Sequence, residues 1–331
     1  RNKKNMNVLI TGGAGYIGSH VALKFLEQNC KVTIVDSLEI GSKFLVPKKA
    51  ELVISDISDE NNISRILKKD KIEVVIHLAA YTKVGESVEN PKKYYENNYD
   101  KAKIFFDICI SNKVKNFIFS STGAVYGNIN SKSFLEIDKK NPINPYSDSK
   151  LKTENFLENI CKKKNVNAIS LRYFNVAGSD RELRSGLITN PDNLIKAICE
   201  YIVGKRKIFL INGNDYNTKD GTAVRDFIHV SDLANIHFLV ANNLLTSKTN
   251  LHDVYNCGYG KGFSVLEILN EFEKIIGKKI EYKITHRRKG DAEISVANVK
   301  KLFKDFSWKP ENNDLRTILE SALKWEKKLL L

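Results

Sequence analysis

The chain has 331 residues, enough to bury a sizeable core in one large or two medium domains, and its 42% hydrophobic and 28% charged residues exclude disorder as a main theme. Its 53 basic and 39 acidic residues give a net charge of +14, but the lysines are scattered through helix-like stretches such as "RILKKDK" and "CKKKN" with no interleaved aromatics, which argues for a solvated surface and against a nucleic-acid partner. Five dispersed cysteines without a C-x-x-C, six histidines without ligand spacing and no apolar run near ~20 residues predict a reducing compartment, no metal site and no membrane span, with the cytoplasm as the expected location.

In chain order, "NVLIT", "KVTIVD", "ELVIS", "EVVIHLAA", "NFIFSS" and "NAISLRYFN" are short β-branched runs, separated by amphipathic stretches such as "SHVALKFLEQN" and "AKIFFDICISN". Continuous apolar strands alternating with helices predict an α/β fold, a doubly wound parallel sheet covered on both faces. After about residue 176 the alternation weakens and Gly, Asn and Asp cluster in "LINGNDYNTKDGT". A strand-like "RDFIHV" then opens the helical "SDLANIHFLVANNLL", and "DLRTILESALKWEKKLL" closes the chain as a helix. The pattern divides the chain into a Rossmann domain over 1–175 and 224–256 and a smaller mixed α/β region over 176–223 and 257–331.

The first strand runs into "TGGAGYIGSH", which sets Gly12, Gly15 and Gly18 at three-residue spacing where a helix begins. Glycines there permit a tight turn, let backbone N–H groups approach a pyrophosphate, and let the helix pack against the strand, while the helix N-terminus favours negative charge. Asp36 ends the second strand, where a carboxylate accepts both hydroxyls of an adenosine ribose and repels a 2′-phosphate, so NAD is favoured over NADP. Asp56 with Ile57 follows the third strand and is placed to meet the adenine; its plain alternative is a helix cap. Ala79 and Ala80 end the fourth strand and leave room for the pyrophosphate, and Asn97 follows on the next helix.

Further on, "SSTGAVYG" ends the fifth strand, and "NPYSDSKLKTEN" sets Tyr146 four residues before Lys150, just after a proline suited to opening a helix. At that spacing both lie on one helix face, so the ammonium can sit beside the phenol and make a base of it. By itself Y-x-x-x-K also arises by chance in a chain with 13 tyrosines and this much lysine.

The glycine loop, "SSTGAVYG" and the Tyr146–Lys150 pair, in this order and each at the carboxyl end of a strand or the start of a helix, resemble the extended short-chain dehydrogenase/reductase family. "RYFNVAG" at 172–178, "GNDYNTKDGTAVRDFIHVSDLA" at 213–234, "YNCGYGKGFSV" at 255–265 and "RRKGD" at 287–291 are similar to the group of that family that epimerises UDP-hexoses at C4. The resemblance covers nearly the whole chain and implies an enzyme with resident NAD, a UDP-sugar substrate and a homodimeric state. By the same resemblance Tyr146 is the general base, Lys150 tunes it together with the nicotinamide, and Thr122 hydrogen-bonds the sugar's 4-hydroxyl. Tyr16, Ile17, Ser37, Leu78 and Phe174 join the cofactor site. Asn175, Asn193 and Leu194 meet the nucleotide-sugar, Asn212 borders the uracil, Arg225 and Arg288 grip the diphosphate, and Asp291 holds the uridine ribose. Beside Arg225, Asp226 offers a structural ion-pair alternative. Ser295 borders the sugar near its 2-substituent; where a tyrosine there confines the pocket, a serine leaves space for an N-acetyl group, which implies the N-acetylated pair of sugars as further substrates. The rival readings are a related UDP-glucuronate epimerase or dehydratase, or a non-catalytic NAD-sensing relative. A dehydratase calls for an acidic residue near Thr122, where Gly123 and Ala124 stand, and a non-catalytic relative often loses the tyrosine or the lysine, both present here.

Overall fold

The structure is a computed structural model that describes residues 6–128, 133–189, 192–246, 252–288 and 292–331. The chain runs through β1 (Asn7–Thr11), α1 (Tyr16–Glu27), β2 (Lys31–Asp36), β3 (Glu51–Ile54), α2 (Glu60–Asp70), β4 (Val74–His77), α3 (Val84–Glu89) and α4 (Pro91–Tyr95). A π-helical turn (Glu96–Lys101) leads to α5 (Ala102–Ser111), β5 (Asn116–Thr122), α6 (Pro145–Lys164), β6 (Asn167–Tyr173), β7 (Asn175–Ala177) and α7 (Leu194–Ile202). Then come β8 (Phe209–Asn212), β9 (Val224–His229), α8 (Val230–Thr246), β10 (His252–Cys257), β11 (Gly262–Ser264) and α9 (Val265–Ile276). The chain closes with β12 (Tyr282–Thr285), β13 (Ile294–Ser295), α10 (Lys300–Phe306) and α11 (Leu315–Lys328). It divides into two compact units: Arg1–Val125, Asn144–Arg172 and Ala234–Tyr255 form the first, and Tyr126–Ile143, Tyr173–Leu233 and Asn256–Leu331 the second.

The first unit is built on a seven-stranded sheet in the order β10-β6-β5-β4-β1-β2-β3. β1 pairs in parallel with β2 and β4, β2 with β3, and β4 with β5. Burial is nearly unbroken along β1, β2, β4 and β5, as a sheet covered on both faces requires, and this is why their sequences read as continuous rather than alternating apolar runs, whereas β3 at the sheet's edge is only half-buried and Ile54 is exposed. Leu9, Val75, Phe105, Phe106, Phe117 and Leu157 form the centre of one core. The order of connection reverses between β4 and β1, so the carboxyl ends of these strands flank the crevice where such sheets take their ligands.

In the second unit β9 is central: it pairs antiparallel with β11 and in parallel with β13 and β7. β8 and β12 form a separate parallel pair. Ile198, Phe209, Phe227, Leu269, Phe272 and Leu319 fill its core. A reciprocal capping box between Ser264 and Glu267 starts α9. All five cysteines are buried and none is in a disulfide, and among the described residues no helix is long and apolar enough to cross a membrane.

Candidate active site

The glycine loop is shaped by two close approaches. Gly12 has φ +69°, and a Cβ there would lie 2.7 Å from the Ala79 nitrogen; a Cβ on Gly18 would lie 2.2 Å from the Gly12 carbonyl oxygen. Only glycine lets the loop pass this near both the turn after β4 and the first turn of α1. Gly15 is the N-cap of α1 and brings no side-chain cap, so no side chain at the cap satisfies the first N–H groups of the helix that begins with Tyr16 and Ile17. A pyrophosphate fits that cradle.

Around the loop, Asp36 at the end of β2 accepts from Ala14 N–H at 3.0 Å and from Leu38 N–H at 2.9 Å. Each carboxylate oxygen keeps acceptor capacity, which suits two ribose hydroxyls. Ser37 beside it is exposed. Asp56, past β3, does not cap α2; Asp59 does, by accepting from Asn62 N–H. Burial pushes the Asp56 carboxyl up, but hydrogen bonds from Lys101 and Ser58 outweigh it and hold the group below its usual range, so it stays an acceptor. Ile57 packs its side chain into the core. Leu78, Ala79 and Ala80 are half-buried at the end of β4. The Thr11 hydroxyl accepts from Leu78 and Ala79 N–H at 3.2 and 3.3 Å, and bonds His77 Nδ1 at 2.7 Å. Burial, reinforced by the Lys150 charge, pulls His77 down to about 3, so this ring is a neutral strut. Asn97 lies in the π-helical turn and donates to Asn98 Oδ1 at 3.0 Å.

The acid–base group sits at the end of β5. Asn144 caps α6 by accepting from Ser147 N–H, and Pro145 opens the helix, which fixes the entry of Tyr146. Tyr146 is half-buried and hydrogen-bonded to Thr122, whose hydroxyl also accepts from Ala124 N–H at 3.1 Å. Burial pushes the Tyr146 phenol above its ordinary 10, and the bond from Thr122 opposes this. One turn on, Lys150 is 2% exposed, donates to the Ser120 carbonyl at 2.8 Å and stands 5.0 Å over the Phe119 ring. Its burial pulls the ammonium down to about 7, with the Glu154 carboxylate opposing.

Glu154 is a supporting residue that motif reading does not reveal. It is 3% exposed, accepts from Arg172 Nε at 3.0 Å and Nη2 at 2.6 Å, and bonds the Ser121 hydroxyl. It thereby ties α6 to both β6 and β5. A lysine-spaced carboxylate in "KLKTEN" looks like a surface residue; only its burial marks it.

In the second unit, Arg225 of β9 stands in register with Ser295 of β13, and Asn175 of β7 with Phe227, two residues along β9. The period of a strand puts Arg225, Ser295 and Asn175 on one face of this sheet. Asp226 points the other way, fully buried and accepting from the N–H groups of Tyr259, Gly260 and Ala297. The ion-pair alternative for Arg225 is thus replaced by a backbone anchor for Asp226. Arg225 itself donates to the Val224 carbonyl at 2.9 Å. Asn193 caps α7 through Lys196 N–H, with Leu194 as the first helical residue. Arg288 reaches the Asp192 carbonyl at 3.4 Å, and so lies beside that cap. Asn212, ending β8, accepts from the Thr285 hydroxyl of β12 at 3.1 Å. Phe174 donates its N–H to the Cys257 carbonyl, with its ring 6.3 Å from that of Phe134. Asp291 lies outside the described residues.

The profile of the NAD dependent epimerase/dehydratase family matches residues 8–258. The chain belongs to that family. The UDP-glucose 4-epimerase of Azospirillum brasilense is 38% identical over 323 residues, covering 97% of this chain and 92% of its own. The crystal structure of UDP-glucose-4-epimerase from Stenotrophomonas maltophila, with bound NAD and formylated UDP-arabinopyranose, aligns with a TM-score of 0.94 at 32% identity over 98% of this chain and 99% of that one. The UDP-Glc/GlcNAc 4-epimerase of Campylobacter jejuni aligns with a TM-score of 0.84 at 36% identity, covering 98% of this chain and 100% of its own. Within this family member, the glycine loop and the Tyr146 helix meet the sheet at its carboxyl edge, and Gly123 and Ala124 after Thr122 supply no acid for a dehydration.

Proposed function

We propose that this protein is a UDP-hexose 4-epimerase that interconverts UDP-glucose and UDP-galactose with resident NAD. The observation that carries this reading is Tyr146, hydrogen-bonded to Thr122 with Lys150 one helical turn on, at the same strand edge as the glycine loop and Asp36. When bound, NAD takes the hydride from C4 of the sugar and returns it. The loop from Gly12 to Gly18 and the start of α1 hold the pyrophosphate, and Asp36 holds the ribose. Thr122 orients the sugar's 4-hydroxyl, Tyr146 takes its proton, and the same phenol gives a proton back when the 4-keto sugar has turned its other face. Lys150 adds positive charge that favours the phenolate. Asn175, Asn193, Leu194, Asn212, Arg225, Arg288 and Asp291 hold the nucleotide diphosphate, with the arginine forks suited to phosphate oxygens. Ser295, small and in register with Arg225, admits an N-acetyl group at C2, so UDP-N-acetylglucosamine and UDP-N-acetylgalactosamine are also substrates. The enzyme works as a cytoplasmic homodimer. Incubating purified protein with UDP-galactose and no added cofactor tests the reading: UDP-glucose should form. Folded protein that carries NAD yet leaves the sugar unchanged would refute it.

A further inference from the structure

In the seven-stranded sheet β1 lies between β4 and β2, so the glycine loop leaving β1 is flanked by the segments that leave these two strands. A side-chain pair joins the flanks. The phenol of Tyr81, four residues past β4, donates to both carboxylate oxygens of Glu39, three residues past β2, at 2.7 and 2.6 Å. The bond closes a ring of protein around the edge of the crevice where Asp36 stands on one side and Leu78, Ala79 and Ala80 on the other.

The two sides of this bond differ in stiffness. Tyr81 is a fixed post: its N–H donates to Asn98 Oδ1 at 2.9 Å, its carbonyl accepts from Asn98 Nδ2 at 3.0 Å, and Asn98 is 1% exposed. The Lys93 ammonium lies 4.1 Å from the centre of the Tyr81 ring and is itself paired with Glu86 at 2.7 Å. Burial, and then the bond to Glu39, raise the phenol's pKa, so it remains a donor. Glu39 rides on an exposed turn instead. Leu38 is left-handed at φ 60°, and the turn is tied to the rest of the fold near its ends, where Leu38 N–H meets Asp36 Oδ1 and Ser42 N–H meets the Ala14 carbonyl, while between them Glu39 N–H meets only the Ser37 hydroxyl of the turn itself, at 3.4 Å.

We propose that the Glu39–Tyr81 hydrogen bond is a latch that retains the dinucleotide, with Tyr81 as its post and the 37–41 turn as its moving arm. Both are positioning residues, and the proposal rests on reading this crevice as the NAD site. A cofactor that ends each turnover as it began has no reason to leave, and a bond from a phenol to a carboxylate is strong enough to slow its escape while still opening for loading.

The test is release of NAD from holoenzyme loaded with radiolabelled NAD and chased with excess unlabelled NAD, in native protein, Tyr81→Phe, Glu39→Ala, Glu39→Gln and the double variant Tyr81→Phe/Glu39→Ala. Both Tyr81→Phe and Glu39→Ala should release NAD about tenfold faster than native protein. Glu39→Gln should fall between, because its amide oxygen still accepts from the phenol. The double variant should release no faster than either single one, since both remove the same bond. Native rates in the single variants, or effects that multiply in the double variant, overturn the latch while leaving the cofactor reading intact. Native protein that holds no NAD overturns both.

Discussion

Tyr146 and Lys150 are four residues apart in sequence, yet their titration behaviour comes from elsewhere in the fold. Burial holds the phenol above 10 and the ammonium at about 7. The lysine's depressed value means that the unfolded chain binds more protons than the folded one between about pH 7 and 10.5, so its burial cost is full below pH 7 and fades as pH rises. Lys150→Met should therefore stabilise the NAD-free protein by roughly 2–4 kcal/mol at or below pH 7, with the gain shrinking toward pH 10, while turnover collapses; thermal melts across pH check it. A gain independent of pH would mean that the lysine is not buried as a charge. Tyr146→Phe should keep fold and NAD but retain less than about a tenth of native kcat, because only the proton-carrying oxygen is lost. At Ser295, Ser295→Tyr should suppress turnover of the N-acetylated pair relative to the plain hexoses, by an overpacking cost of roughly 1–3 kcal/mol; equal loss on both pairs would remove Ser295 as the gate. The spacing of Tyr146 and Lys150 was readable in the sequence. The burial that pulls the lysine's pKa down was not, since the Ser120 carbonyl and Phe119 ring packed against it come from β5, about 30 residues away.

α6 is the element on which the chemistry depends, and its seat is set by Glu154. Removing that carboxylate in Glu154→Ala leaves the Arg172 guanidinium, 2% exposed, buried without its ion pair to α6, so stability should fall by roughly 3–5 kcal/mol in denaturant melts, with Glu154→Gln losing less. A loss below about 1 kcal/mol would show that solvent reaches the pair. Most elements were legible because their patterns are local: the runs at 7–11, 31–36 and 116–121 are strands, and the helical stretch at 102–112 is α5. The run "EVVIHLAA" reads too long, since β4 stops at His77 where Leu78 and Ala79 turn their N–H groups to the Thr11 hydroxyl. The π-helical turn at Glu96–Lys101 and the pairings of β8 with β12 and β9 with β13 were hidden, because the first is a small slip within a helical period and the others join segments about 70 residues apart.

For the molecule as a whole, the family and its chemistry were legible because the glycine loop, Asp36 and Thr122 sit at strand ends, and Tyr146 and Lys150 at the start of a helix, that local pattern already marks. The substrate side was less so: Arg225, Ser295 and Asn175 share a sheet face through registers that no short motif encodes. In the proposed reaction one carbon is oxidised and then reduced, with Tyr146 carrying only the hydroxyl proton. The most direct test is to convert UDP-galactose deuterated at C4 in ordinary water and to examine the UDP-glucose formed by mass spectrometry. The product should keep its deuterium at C4. Deuterium washed out into solvent during conversion would mean that C4 inverts by proton exchange, and would contradict the roles of Tyr146 and the dinucleotide.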